Sequence, residues 1–427
     1  MKPVFGVVAD DLTGGMETAA MLIAAGIDCA FVTDPDLVAT IGDVPAIVVA
    51  QKTRVIAADE AVARSGKAAR ALLARGARQI FFKYCATFDS TDRGNIGPVA
   101  DMLMQLTGAD YTAFCPASPS LGRTVYNGHL FLGTELISDS PKRNDPLTPM
   151  TDPDLVRVLQ RQTPTRVGLL AHPLVSAGPA HLDQAIASAT GQGVRYFITD
   201  AIYDRDLDVL AALTSDWKLM TGNATIVQHY PAIWKARGLV APTSHRVRLP
   251  AVDGSGVVLA GSCAERTLEQ LAEFEKLRPV LRMNLLAADD VEAAVGAALD
   301  WARPRLKDGP VAISTSESPD VVKMVQERHG REGAAQLAEA ILGRLAVSLR
   351  EAGVRRFVVA GGETSGSIVD HLGIRSLRVG PYGGPGIGAA TTDDADPIAL
   401  CLKSGKLGPP DLFMTTLKSM LNPERIN

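Results

Sequence analysis

Short apolar runs that stop abruptly at glycines, carboxylates or hydroxyls recur along this chain, with helical stretches between them. Val4–Ala9, Ala46–Ala50, Gln79–Phe82, Thr112–Cys115, Val257–Ala260, Val311–Ile313 and Phe357–Ala360 are such runs. Without polar alternation they read as strands buried on both faces. Helices are expected near 17–25, 57–75, 265–277, 334–352 and 410–421. Strand and helix in alternation imply a largely parallel sheet covered on both faces, the doubly wound α/β class. A length of 427 residues exceeds what one core holds. From Arg237 to Gly256 the sequence turns polar and irregular, with Pro242 and Pro250. The expected division is therefore 1–240, a linker at 241–253, and a second domain at 254–427.

A formal net charge of −4 leaves no basic footprint, so nucleic acid is not an expected partner. No stretch reaches the roughly 20 apolar residues that span a bilayer, and the first residues lack the pattern of a signal peptide. Cys29, Cys85, Cys115, Cys263 and Cys401 form no metal-type cluster. They are expected to be reduced and mostly buried, in a cytoplasmic protein. The prevalence of two-fold assemblies makes a homodimer the default expectation.

Chemistry collects where the runs end, which is where α/β sheets bind ligands. The first run stops at Asp10-Asp11-Leu12-Thr13-Gly14. Adjacent carboxylates there could accept a hydroxyl proton, coordinate Mg²⁺ or cap the next helix; capping accounts for one of them, not both. The second run leads to Arg54, and the third to Lys83, Asp89 and Arg93 within a loop rich in hydroxyls and glycines. Arg54, Lys83 and Arg93 suit a small substrate carboxylate, although solvated loop charges would look the same. A long segment, 116–131, reads as an ordered functional loop, with Arg123, His129, Arg143 and Asn144 as pocket candidates. Ser262 closes the first strand of the second half.

Phe357–Ala360 runs into Gly361-Gly362-Glu363-Thr364-Ser365-Gly366. The glycines allow a sharp turn, and Thr364, Ser365 and Ser367 are candidate N-caps of the following helix. Strand, glycine turn and helix N-terminus suit a phosphate; a tight turn that binds nothing fits equally well. Neither the Walker loop nor the dinucleotide fingerprint is matched. The run 398–408, ending in Lys403-Ser404-Gly405, reads as a last, edge-like strand.

Taken together, Ala9–Gly14, Phe82–Thr91, Gly94–Pro98, Gly122–Tyr126, Pro149–Asp152, Ser262-Cys263, Ala360–Gly366 and Lys403–Gly405 resemble the four-carbon acid sugar kinase family, in its 3-oxo-tetronate kinase branch. The resemblance implies an acid-sugar-binding N-terminal domain, an ATP-binding C-terminal domain and an active site in the cleft between them. It implies phosphoryl transfer from ATP, with Mg²⁺, to the terminal hydroxyl of a four-carbon sugar acid. By motif matching, Ser262, Gly361, Gly362, Glu363, Thr364, Ser365 and Gly405 become ATP contacts. Asp10 and Asp11 are then the catalytic candidates, and Arg54, Lys83, Asp89 and Arg93 the substrate-binding ones. Three departures stand out: Thr221-Gly-Asn-Ala-Thr225, Pro385-Gly-Ile-Gly388 and Glu17. The first leaves D-threonate, D-erythronate or a branched 3-oxo acid as alternative substrates. An NAD-dependent dehydrogenase and a non-catalytic sugar-acid sensor are the remaining alternatives.

Overall fold

The computed structural model describes residues 2–145, 147–241, 247–288, 290–316 and 319–423. Pro146, residues 242–246 of the expected linker (with Pro242) and residues 424–427 lie outside the described residues. The chain divides into two compact units, Met1–Arg246 and Val247–Asn427.

In the first unit the strands are β1 (Phe5–Ala9), β2 (Cys29–Val32), β3 (Ala46–Ala50), β4 (Gln79–Lys83), β5 (Thr112–Cys115), β6 (Arg123–Tyr126), β7 (His129–Leu132), β8 (Glu135–Leu136), β9 (Arg166–Leu170), β10 (Val194–Thr199) and β11 (Leu219–Gly222). Eight of them form an all-parallel sheet in the order β2-β3-β1-β4-β11-β5-β10-β9. Every residue of β1, β3, β4 and β5 is buried, which explains their unbroken apolar character. Helices cover both faces. A Cβ on Gly15, in the helix Leu12–Ala24, would stand 3.2 Å from that of Ala9. A Cβ on Gly6 would stand 3.2 Å from that of Leu72, in the helix Ala58–Arg75. Residues 6 and 9 point to opposite faces of β1, so the two helices lie on opposite sides.

The segment expected as a loop at 116–131 is partly a hairpin. Strands β6, β7 and β8 make a small antiparallel sheet. Asn127 and Gly128, with φ of 49° and 74°, form its two-residue turn. That Asn-Gly pair is a strong hairpin signal.

The second unit contains β12 (Ser255–Ala260), β13 (Val280–Arg282), β14 (Val311–Ser314), β15 (Val354–Ala360), β16 (Ser376–Val379), β17 (Ile387–Thr391) and β18 (Ala399–Lys403). Their order is β13-β14-β12-β15-β18-β17-β16. The first five are parallel; β17 runs antiparallel to β18, and β16 to β17. The run expected to be an edge strand, β18, therefore sits inside the sheet, buried along its whole length.

The two units share a layout that no sequence repeat announces. Each opens with its second, third, first and fourth strands side by side, β2-β3-β1-β4 and β13-β14-β12-β15. The chain leaves the first strand toward one edge and later crosses to the other side, so a topological switch point falls between first and fourth strands. In the first unit that point is flanked by Asp10 and Lys83, in the second by Gly261 and Gly361.

The thiols depart from expectation. All five cysteines are free, but only Cys115 and Cys401 are buried, and Cys263, on the loop leaving β12, is exposed. No helix among the described residues is long and apolar enough to cross a membrane.

Candidate functional site

At the switch point of the first unit, backbone bonds lock three strand ends together. The Asp10 N–H donates to the Lys83 carbonyl at 3.0 Å, and the Thr53 N–H to that of Asp10 at 2.9 Å. This places Asp10, Asp11, Arg54 and Lys83 in one cluster. Arg54 donates from Nε and Nη2 to both Asp10 oxygens, at 2.7 and 2.8 Å, and from Nη2 to Asp11 Oδ1 at 2.5 Å. Lys83 Nζ lies 2.5 Å from Asp11 Oδ1 and 3.6 Å from Asp10 Oδ1. Asp11 Oδ2 also accepts the Gly14 N–H at 3.1 Å, capping the helix Leu12–Ala24. The capping reading thus holds for Asp11 and leaves Asp10 without a structural duty of that kind. Gly14 is required by contact: a Cβ there would lie 1.5 Å from Lys83 Nζ.

Two cations on two carboxylates make the cluster nearly neutral, which is what allows its burial. The two aspartates nevertheless differ. Burial raises Asp10, and Arg54 and Lys83 offset this only in part. Burial also raises Asp11, but there Arg54, Lys83 and the Gly14 N–H prevail and hold it well below the usual carboxylate range. Divergent pKa values in neighbouring carboxyls are how one of a pair becomes the base. Two buried polar atoms here find no partner among the described residues, Thr13 Oγ1 and Gln51 Oε1. Such groups are normally satisfied by protein or water. Neither was expected from sequence, although Thr13 stands in the Asp-Asp-Leu-Thr-Gly motif.

Asp89 belongs to a second ion-pair group. It accepts from Thr87 Oγ1 at 2.7 Å and pairs with Lys142 Nζ at 2.6 Å, which reaches Asp145 at 2.8 Å. Burial raises Asp89, but Lys142 and Arg54 bring it below the ordinary value. The backbone at Phe88 and Asp89 has φ of 62° and 20°, a conformation unfavourable for such residues that functional loops tolerate. Lys142 was not anticipated; its neighbours Arg143 and Asn144 were. Arg143 donates to the Ser138 carbonyl at 3.3 Å, Arg123 to that of Leu121, and His129 Nδ1 lies 2.8 Å from that of Asn127. These residues spend their polar groups on local backbone, and Asn144 is exposed. Arg93 is also exposed and joins neither ion-pair group; it lines a pocket with Ser90, Asp92, Met150, Asp152 and Arg161.

The second unit repeats the arrangement with neutral groups. The N–H groups of Gly261 and Ser262 donate to the Ala360 carbonyl at 3.0 and 3.2 Å, and that of Gly361 to the Lys403 carbonyl at 3.0 Å. Ser262, the 361–365 turn and Gly405 are thereby gathered. The expected caps are corrected: the helix runs Gly362–His371, and its N-cap is Gly361, at φ 129°, without a side-chain cap. Thr364, Ser365 and Ser367 lie inside the helix, where Ser365 Oγ bonds the Gly361 carbonyl at 2.7 Å and Ser367 Oγ that of Glu339 at 3.0 Å. The N-cap itself, being glycine, offers no side-chain oxygen to the leading N–H groups of the helix.

Close approach explains three glycines around this turn. A Cβ on Gly261 would lie 2.3 Å from Thr364 Oγ1, one on Gly405 2.0 Å from Ser262 Oγ, and one on Gly361 2.8 Å from Thr364 Oγ1. Gly362 instead faces open space. Thr315 Oγ1, at the neighbouring end of β14, is buried and unpartnered among the described residues. A helix N-terminus behind a glycine N-cap, two hydroxyls and glycine backbone fit a polyphosphate. Among the described residues no group of three or more His, Cys, Asp or Glu could hold a metal ion.

Comparison with known proteins identifies the family. A family model described as a sugar-binding N-terminal domain matches residues 5–230, and one described as a nucleotide-binding C-terminal domain matches residues 257–413. The 3-oxo-tetronate kinase of Burkholderia multivorans is 44% identical over 419 residues, 98% of each chain. That of Cupriavidus necator is 45% identical over 423 residues, again 98% of each. The crystal structure of a nominal tRNA synthase from Salmonella typhimurium LT2 aligns with a TM-score of 0.81 at 33% identity, covering 96% of this chain and 98% of that one. The chain belongs to the four-carbon acid sugar kinase family, in its 3-oxo-tetronate kinase branch.

Proposed function

We propose that this sugar-acid kinase transfers the γ-phosphoryl group of ATP to the terminal hydroxyl of 3-oxo-tetronate, giving the 4-phosphate. The observation that carries the reading is the buried Asp10–Asp11–Arg54–Lys83 cluster at a sheet switch point. A small anionic alcohol suits it on charge. Its carboxylate competes with Asp10 for the Arg54 and Lys83 donors that now pair with the aspartates, and so releases Asp10. Asp10, raised by burial, is the group placed to accept the hydroxyl proton, whereas Asp11 stays committed to Lys83 and the helix cap. Thr13 and Gln51 offer their unpaired atoms to the acid's polar groups. Asp89, tied to Lys142, and the exposed Arg93 remain outer candidates for acid binding.

In the second domain Ser262, the backbone of Gly361, Gly362, Glu363, Thr364 and Ser365, and Gly405 hold the triphosphate. Mg²⁺ supplies charge neutralisation on the phosphates; it commonly rests on one or two carboxylates and water, so a protein cage is not required. Phosphoryl transfer is chiefly positioning and neutralisation, and these residues provide both. A cytoplasmic location is consistent with ATP as the donor.

The test is turnover of ATP against a panel of sugar acids. Highest kcat/KM with 3-oxo-tetronate is the expected result. Preference for D-threonate, D-erythronate or a branched 3-oxo acid would replace the acceptor, and no ATP consumption with any acid would remove the reading.

A further inference from the structure

Lys403 ends β18 with no exposed surface. Its ammonium meets three acceptors: Gln270 Oε1 at 2.7 Å, Thr267 Oγ1 at 3.1 Å and the Gly405 carbonyl at 3.2 Å. All three donors are used, yet no acceptor is a carboxylate. A buried ammonium without a counter-charge is unfavourable, and sheet packing does not call for one. Cys401, on the same face two residues earlier, simply joins the apolar cluster with Val358, Ala360 and Phe413.

What the lysine reaches is the turn that follows it. Thr267 accepts from Lys403 and donates to the Gly405 carbonyl at 2.8 Å. Gln270, held through its oxygen, donates from Nε2 to the Pro409 carbonyl at 2.8 Å. Lys403 thereby ties the helix Glu265–Glu275 to both ends of the 405–409 turn. The same turn carries Gly405, which is packed so closely on Ser262 that a Cβ would lie 2.0 Å from its Oγ.

We propose that Lys403 is a positioning residue for the nucleotide, holding the Gly405 turn against Ser262 and adding a positive charge beneath the phosphate cradle. This rests on the assignment of Ser262 and Gly405 as ATP contacts. In a poorly polarisable interior such a charge acts more strongly on a phosphate than a solvated lysine would. The charge is also conditional. Burial, countered by the Cys401 thiol and reinforced by the Arg266 cation, brings the Lys403 pKa down to about 8. From the packed elements, the helix Glu265–Glu275 presents Thr267, Gln270 and Arg266, the helix Leu412–Leu421 presents the Phe413 ring at 5.9 Å, and β18 itself presents Cys401.

The experiment compares Lys403→Met, Lys403→Arg and Gly405→Ala in the full chain. It measures KM for ATP and for 3-oxo-tetronate across pH, ADP binding by calorimetry, and Tm. Lys403→Met should raise KM for ATP and weaken ADP binding about tenfold, with KM for the acid within about twofold. Its Tm should change little, because relief of the buried charge is offset by the acceptors on Gln270, Thr267 and Gly405 that lose their donor. In the unmodified enzyme KM for ATP should climb as pH rises through about 8, and Lys403→Arg should abolish that climb. Unchanged ATP and ADP affinity in Lys403→Met, or a Tm loss with both KM values rising together, would overturn the proposal. If Lys403→Met does not fold, a flat pH profile of KM for ATP overturns it instead. Gly405→Ala separates the two readings. If it leaves KM for ATP unchanged, the ATP-site assignment fails; if it raises that KM while Lys403→Met does not, only the role of Lys403 fails.

Discussion

Asp10 and Asp11 are chemically identical neighbours that the fold makes unlike. Asp11 pairs with Lys83 and caps a helix, while Asp10 is raised by burial. If Asp10 is the base, kcat/KM for the acid falls as pH drops, with an inflection above the ordinary carboxylate value of about 3.9. Asp10→Asn should remove that limb and lower kcat by about 10²–10⁴, measured in steady-state assays at saturating ATP. Asp11, lowered in the folded state, stabilises the protein above its unfolded value, and the contribution is lost as pH falls toward its folded value. Asp11→Asn should therefore abolish turnover with ATP affinity nearly intact and flatten the acid limb of a Tm–pH curve. Gly14→Ala puts a methyl group 1.5 Å from Lys83 Nζ, and overpacking of this kind costs about 1–3 kcal/mol; loss of acid binding with unchanged ADP binding by calorimetry is expected. The residues themselves were legible in sequence because they end apolar runs. Their division of labour was not, since burial and pairing are properties of the fold. Lys142 and Lys403, the latter within a motif that carries the resemblance, received no site role for the same reason: a lysine in sequence does not reveal whether it is buried.

At the scale of elements, the helix Gly362–His371 shows both what local rules predict and where they stop. Its existence followed from the glycine turn and the apolar spacing. Its start did not, because Thr364, Ser365 and Ser367 read as caps while the real N-cap is Gly361 at φ 129°. Contact decided the matter: Thr364 Oγ1 packs against the backbone of Gly261 and Gly361 and is needed inside the helix. Gly361→Ala forces a side chain into a backbone region that only glycine occupies readily. KM for ATP should rise about tenfold or more while KM for the acid stays put; an equal rise in both would show a general collapse. The hairpin β6–β7 was legible in principle from Asn127-Gly128, but the prolines around it pointed to a loop. β18 looked like an edge because glycines follow it, yet β17 pairs with its far side.

At the scale of the whole molecule, ligands report on the assignment. A ligand held by the native state at 100 times its Kd adds about 2.7 kcal/mol of stability, which for units of this size corresponds to a Tm shift of roughly 5–10 °C. ATP with Mg²⁺ should produce such a shift in differential scanning and NAD should not; the reverse pattern would favour the dehydrogenase reading. The amino-acid sequence by itself determined that strand and helix alternate, that the strands are buried, and that their ends carry the chemistry. Those are consequences of local hydrophobicity and of where glycine and polar residues interrupt it. Only the tertiary structure decided which strand ends meet, because pairing β1 with β3 and β4, or β12 with β14 and β15, brings together residues tens of positions apart. It also decided which charges are buried, and burial is what sets Asp10 against Asp11 and leaves Lys403 without a counter-ion among the described residues.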